Sequence, residues 1–416
     1  MKDTRARKRN FLISCSIFLC FFLLTILADR AAGFFIKRPL QVWQGIIFPP
    51  SSKQNYRTPE FAFTAHINSL GFRDREFDNP TIGGTRIVAI GDSFTYGWGV
   101  EINQSWTKVL EENLRKKGYA LEVANLGQPG ASPKTYAEIA EKAAPLLQPD
   151  LLVVAVLQGD DLASLSAKYN QPVSNTEGHK NQGQLESDNS LRQSLSKVSY
   201  RLYPNFLSLL KGRALDQPLQ TLWREQAQRV IDELTPEEKL RFDNLDGQVK
   251  NSFENGELNP ALLQAALKFP EFFLENFDTN EPETRLLILE MARQLARIKE
   301  AAHAQHSQVI VVSIPYKVYA SPRDLESSRR LGLLLTPEMA VSTSADEAIK
   351  AACEHAGLEF FEVTAGFRGK ALESHLFFDL DGHFNSTGHQ TFADLLTPIL
   401  EQRLRMMKKR SANSEQ

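Results

Sequence analysis

The sequence predicts an α/β chain built on a doubly wound parallel sheet, with a mainly helical insertion and an N-terminal transmembrane helix. Two observations predict the sheet and a third predicts the anchor. Between residues 87 and 162, three apolar, strand-like runs each end in glycine and polar residues, and each gives way to a helix-like stretch or turn. The run Leu151 to Leu157 is apolar throughout, as a parallel strand covered on both faces should be. Phe11 to Leu27 carries no charge, at the lower end of the length that crosses a bilayer as a helix.

Composition limits the rest. A chain of 416 residues, 42% hydrophobic and 24% charged, is long enough for one large domain with an insertion or for two domains. A formal charge of −2 gives no overall attraction to nucleic acid, and none is expected as a partner. Of the 3 cysteines, Cys15 and Cys20 lie in the apolar N-terminal run, which leaves Cys353 alone in the remainder. Neither a disulfide framework nor a cysteine metal site is therefore available, and Cys353 reads as a small buried hydrophobe on a helix over 346–356.

Taken in order, residues 1–10 form a basic tail, with Lys2, Arg5, Arg7, Lys8 and Arg9 against Asp3 alone. A basic flank before an apolar run holds the N-terminus in the cytoplasm and sends the remainder of the chain across the membrane. Residues 11–27 are thus expected to be an uncleaved, single-pass signal anchor in the inner (plasma) membrane, with the body in the periplasm or cell exterior. A cleaved signal peptide fits less well, because charges interrupt Ala28-Asp-Arg-Ala-Ala32. Leu12-Ile-Ser-Cys15 lacks the preceding apolar segment of a lipoprotein site. Residues 28–59, with Pro49-Pro50, read as a linker that straps onto the domain.

Residues 60–162 read as the first half of that domain. Phe61 to His66 alternates like a strand, and Asn68-Ser-Leu-Gly-Phe-Arg73 comes next as a turn. Ile87 to Ile90 is a buried strand that stops at Gly91-Asp92-Ser93. Ser105 starts a helix with Trp106, Val109, Leu110 and Leu114 on one face, stopped by Gly118. A strand over 121–126 meets Gly127-Gln-Pro-Gly130, and a second helix starts at Ser132-Pro133. Residues 163–304 break the pattern: 170–189 is a polar loop, expected to be mobile, and after it come helices over 218–234, 236–251, 260–277 and 281–305. The sheet resumes at 309–315 and 358–363, and the second half of the domain, 305–402, ends in a helix and a basic tail, 403–416.

Ligands of doubly wound sheets sit beyond the carboxyl ends of the strands, and the segments there have a common theme. Gly91-Asp92-Ser93, Asn125-Leu-Gly-Gln-Pro-Gly130, Gly159-Asp160-Asp161 and Asp381-Gly-His383-Phe-Asn385 together resemble the SGNH branch of the GDSL hydrolases, as found in membrane-anchored, envelope-facing bacterial members. The resemblance covers roughly residues 60–162 and 305–402. It implies a flavodoxin-like sheet, Ser93 as nucleophile, and the Ser93 and Gly130 N–H groups as oxyanion donors. It also implies His383 as the base.

The residue chemistry is consistent with this. A serine hydroxyl is a weak nucleophile until an imidazole takes its proton, and a carboxylate on the other ring nitrogen fixes the tautomer. Asp381 is the orienting acid of choice, with Asp379 as the alternative, because the two acids stand two and four residues before His383. The third block departs from the family, which places an asparagine where Asp160 stands. An ionised carboxylate only accepts hydrogen bonds. Asp160 is therefore either held protonated, or turned away while another donor serves, or the activity is weak or absent.

Asp92 reads as a turn-stabilising residue, His389 as structural, His66 as an exposed strand residue, and His303 with His306 as a solvated face. No cofactor and no metal are expected. The Asp379-Leu-Asp-Gly stretch has Phe384 and Gln390 where a calcium loop needs glycine and glutamate.

The expected activity is a membrane-anchored serine esterase. It would remove or transfer a small acyl group, acetyl above all, on an acylated small molecule or an envelope glycan. The alternatives are a polysaccharide O-acetyltransferase and a non-catalytic glycan-binding or scaffold member. Protein partners and oligomeric state have no signature in the sequence.

Overall fold

The computed structural model describes residues 2–35, 48, 50–77, 84–168, 202–203, 205–206, 219–275 and 278–414. The expected mobile loop at 170–189 and residues 36–47 of the strap lie outside them. The chain divides into two units, one of residues 1–41 with 180–217 and one of residues 42–179 with 218–416.

The first unit contains a helix, Lys2–Phe35, whose Ile13–Gly33 portion of 21 residues is long and apolar enough to cross a membrane, a property shared with signal sequences. Large apolar side chains such as Ile17, Phe18, Phe21 and Leu24 stand exposed on it. Asp29, in the same helix, is fully buried. Its carboxylate accepts the Asn205 and Phe206 backbone N–H groups at 3.1 and 2.9 Å and the Asn205 side-chain amide at 3.0 Å. Those donors are what let a carboxylate sit in that position.

The second unit is organised on a five-stranded parallel sheet. With β1 (Lys53–Arg57) and β2 (Ala62–His66) forming a separate antiparallel hairpin, the sheet strands are β3 (Thr85–Ile90), β4 (Leu121–Asn125), β5 (Leu151–Leu157), β6 (Gln308–Ile314) and β7 (Glu359–Phe361). Their order is β4-β3-β5-β6-β7. The chain thus leaves β3 toward one edge and returns to its other side, so the strand order reverses between β3 and β5. Ile90 lies opposite Val154 and Ala89 opposite Asn125, so β3 and β4 end nearly level while β5 runs on beside β6 to Leu157.

Side-chain alternation divides the core into two layers. Ile87, Ala89, Val153, Ala155, Ile310 and Val312 face the helices Trp106–Lys116 and Ser386–Ser414 together with the helices of the 219–275 segment. Val88, Ile90, Leu152, Val154, Val156 and Val311 face the helices Pro133–Leu147, Pro282–His303 and Ser344–Ala356. Cys353 is fully buried in that second layer.

Three expectations shift, besides the helix expected over 260–277, which is broken between Lys268 and Phe272. The Pro282–His303 helix is not part of an appended insertion. It places Met291, Leu295 and Ile298 against the sheet and ties Arg297 to Glu141 on the neighbouring Pro133–Leu147 helix at 2.8 Å. The expected helix over 236–251 is two, Pro236–Asp243 and Gly247–Glu254, because Asp246 turns its carboxylate onto the Gln248 and Val249 N–H groups and starts a new helix. The stretch read as a strap contains β1, whose Tyr56 stacks on Phe63 of β2 at 4.7 Å.

Candidate active site

β3 runs into the site and stops because Gly91 allows a close approach. A Cβ there would run into Thr95 Oγ1 and lie 3.0 Å from the Ala155 carbonyl. Asp92 then caps a single helical turn, Ser93–Tyr96, by accepting the Phe94 N–H at 3.0 Å. Gly97 closes the turn in the left-handed region, at φ +81°. Ser93 thus sits at the first position of a one-turn helix at the end of a central strand.

The turn stretch after β2 has a structural role here. Asn68 Oδ1 accepts the Leu70 and Phe72 N–H groups, and the fully buried Arg73 donates to the carbonyls of Gly97 at 2.6 Å and Val100 at 2.7 Å. Its guanidinium lies 4.5 Å from the Phe63 ring centroid. The loop beyond Ser93 is therefore pinned through its backbone.

His383 reaches Ser93 from the loop before the last helix. Its Nε2 is 2.7 Å from Ser93 Oγ, and its Nδ1 is 2.5 Å from Asp381 Oδ1. The imidazole is 17% exposed and the Asp381 carboxylate 6%, so the ring can meet a substrate while its acid stays dry. Burial lowers the His383 pKa, but the Asp381 charge and hydrogen bond outweigh it, and the net shift is upward. Asp379 points elsewhere. It is exposed, and its carboxylate pairs with Arg330 at 3.3 Å.

The Phe94 ring lies 4.8 Å from the imidazole and Trp98 lies 6.2 Å from it. Trp98 in turn stacks on Trp223, from the Leu219–Glu233 helix, at 6.3 Å. The inserted helices thus supply part of the wall behind His383.

Gly130 lies beyond β4 in the left-handed region, at φ +70°, with open space where a Cβ would stand. Neither its N–H nor that of Ser93 meets an acceptor among the described residues. Asp160 begins the short turn Asp160–Ala163 after β5, across the strand-order reversal from Ser93. It is exposed, yet the protein crowded around its carboxyl raises its pKa, while positive charge on His383 opposes the rise.

Asp160 belongs to a crowd of carboxylates. Asp92 is pushed up to about 7, by burial first and by Asp160 next. Asp161 is raised well above the usual range by burial and by both neighbours; it accepts the Tyr136 hydroxyl at 2.9 Å and the Leu157 N–H at 2.7 Å. Three acids this close cannot all ionise freely.

Of the other histidines singled out in the sequence, His66, His303, His306 and His389, none joins the Ser93–His383–Asp381 contacts. His389 is fully buried, accepts the Trp106 N–H at 3.3 Å and is pushed down to about 3 by burial. His66, His303 and His306 are exposed. Among the described residues no group of three or more His, Cys, Asp or Glu is placed to hold a metal ion. Neither of two surface cavities, of about 270 and 580 Å³, is lined by a residue of this site.

Sequence reading missed several neighbours: Trp98, Trp223, Glu60 and Lys317. Only Trp98, five residues after Ser93, had a positional signal. The others reach the site from distant elements.

No family model and no curated protein matches the chain. Solved structures that resemble it are esterases and acylhydrolases of the GDSL kind. They include TesA, at 11% identity over 76% of this chain and 99% of that one, TM-score 0.37. An acetyl xylan esterase, AlAXEase, is 10% identical over 75% and 97%, TM-score 0.36. A member of the lipolytic protein G-D-S-L family from Veillonella parvula is 10% identical over 76% and 98%, TM-score 0.34. Likeness at that level adds no weight to the chemistry, which rests on the residues.

Proposed function

We propose that the chain is a membrane-anchored serine hydrolase of SGNH type that removes or transfers an acyl group held in ester linkage. The observation that carries this reading is the continuous chain of contacts from Ser93 Oγ through His383 to Asp381, at 2.7 and 2.5 Å. In this reading Ser93 Oγ attacks the ester carbonyl carbon as its proton passes to His383 Nε2. Asp381 stabilises the resulting imidazolium and holds the ring orientation. The Ser93 and Gly130 N–H groups bind the oxyanion, and Asp160 adds a third donor in its protonated form. Collapse of the intermediate expels the alcohol, which takes the proton from His383. Water or a second hydroxyl then attacks the acyl-Ser93 ester by the same route in reverse and restores Ser93.

The raised pKa of Asp160 supports its acid form, and the alternative acid Asp379 has no part in the reading because Arg330 holds it away. A small acyl group, acetyl above all, is the proposed cargo. An envelope glycan or another acylated envelope molecule is the proposed substrate, supported by the basic flank and apolar helix that would hold the body outside the cytoplasm. A polysaccharide hydroxyl in place of water would make the same acyl-enzyme an O-acetyltransferase. The test is fluorophosphonate labelling of the detergent-solubilised chain. The wild type takes up label and Ser93→Ala does not. Equal labelling of the two, or none in the wild type beside a reactive control hydrolase, rejects the reading.

A further inference from the structure

An acid that orients a catalytic imidazole must itself be held, and Asp381 sits in a loop with no regular structure beyond the bridge between Phe377 and Phe384. Two side chains, remote from it and from each other in sequence, grip that loop by its backbone. Glu60, at the turn leading into β2, places one oxygen 2.9 Å from the Leu380 N–H and the other 2.8 Å from the Asp381 N–H. Lys317, just after β6, is fully buried and donates its Nζ–H to the Asp379 carbonyl at 3.0 Å. Its stem packs on Gly382, which lies between Asp381 and His383 in the left-handed region at φ +83°; a Cβ there would stand 3.1 Å from Lys317 Cε.

Both groups are costly to bury, and a fully buried lysine is rare unless its charge is compensated. Burial lowers the Lys317 pKa, and of the four carboxylates that oppose the change Glu60 acts most strongly. Burial raises the Glu60 pKa, and its hydrogen bonds from Leu380 and Asp381 oppose that rise. The serine, histidine and aspartate chemistry uses neither residue, and the hairpin and the β6 turn meet the loop at consecutive residues, 379 to 382.

We propose that Glu60 and Lys317 are positioning residues that together clamp the 379–382 loop, so that Asp381 faces His383 Nδ1. The proposal rests on the serine-hydrolase reading. The β1–β2 hairpin is then part of the catalytic apparatus, and the acid is set by a contact that spans most of the domain's sequence.

The test uses the full chain in detergent, with 4-nitrophenyl acetate turnover and fluorophosphonate labelling as readouts. Glu60→Gln keeps the size of the side chain but can accept through one oxygen only, and it turns an NH2 group toward a backbone N–H. A kcat lower by about 10- to 100-fold is expected with KM changed by less than about twofold, since the loss is in orientation and not in binding. The acid limb of the kcat profile should move to lower pH, because His383 loses part of the interaction that raises its pKa. Lys317→Met should act in the same direction.

The decisive arm places Glu60→Gln in an Asp381→Asn background, where a residue acting through Asp381 adds less than about twofold. The proposal is overturned if Glu60→Gln keeps wild-type kcat and pH profile, or if it costs as much in the Asp381→Asn background as alone. Should Glu60→Gln fail to melt cooperatively, Lys317→Met carries the same cycle; failure of both assigns them to folding and overturns the proposal. Equal labelling of wild type and Ser93→Ala would remove the hydrolase reading itself, whereas a labelled wild type with an unaffected Glu60→Gln removes only the clamp.

Discussion

Asp160 stands where its amide counterpart would donate without regard to pH, and the proposed activity therefore carries two titrations of opposite sign. His383 accepts a proton only when neutral, so the rate rises as pH climbs through its raised pKa. Asp160 donates only when protonated, so the rate falls as pH climbs through its own raised pKa. The two opposed titrations together give a bell-shaped rate profile. Asp160→Asn replaces a titrating donor by a permanent one. The expected outcome is loss of the falling limb and a kcat higher by about tenfold or more at neutral pH, within the range one oxyanion donor supplies. A pH profile of 4-nitrophenyl acetate hydrolysis checks it, and an unchanged or slower variant would show that the carboxyl has another role. The protein packed around the Asp160 carboxyl provides the physical cause of its raised pKa, and positive charge on His383 opposes the rise.

At the scale of elements, the site depends on backbones that approach more closely than side chains allow. Gly127 is the clearest case: a Cβ there would collide with the Tyr96 amide nitrogen and lie 2.8 Å from Tyr96 Cα, backbone atoms that cannot rotate away. The loop after β4 and the one-turn helix of Ser93 are fitted against each other at that point, with the Gln128 N–H on the Gly91 carbonyl at 3.0 Å. Gly127→Ala is expected to destabilise the fold by about 1–3 kcal/mol through overpacking. It should also slow fluorophosphonate labelling at temperatures well below its melt. Thermal unfolding and labelling rate of the same sample check both. Labelling as fast as wild type would mean that the turn relaxes without moving Ser93.

For the whole molecule, the proposed anchor is what would set where the proposed chemistry takes place. Full-length chain is expected to stay with membranes through an alkaline wash, and a chain shortened to begin at Gly33 to be released; fractionation and immunoblotting decide it. Release of the full-length chain would remove the anchor and the envelope assignment that depends on it. The second unit buries a two-sided core around five strands, which is the usual support for a site assembled from several loops.

Local physics accounts for the elements that were legible in the sequence. An unbroken apolar run such as Leu151 to Leu157 is what a strand covered on both faces presents, and Gly91-Asp92-Ser93 after such a strand reads as a tight turn. Strand and turn boundaries for β3, β4 and β5 were accordingly legible, whereas Ser93 and His383 became candidates through the resemblance of the stretches that hold them to the SGNH family. The tertiary structure decided whatever depends on which distant segments touch. It chose between Asp381 and Asp379, two residues apart in a loop whose geometry no local pattern dictates, by turning one toward His383 and pairing the other with Arg330. It moved the Pro282–His303 helix from insertion to core, since an amphipathic helix carries no mark of the surface it will cover. It also brought Glu60 and Lys317 to the acid loop, where most of the groups that offset the cost of burying their charges lie far away in the chain.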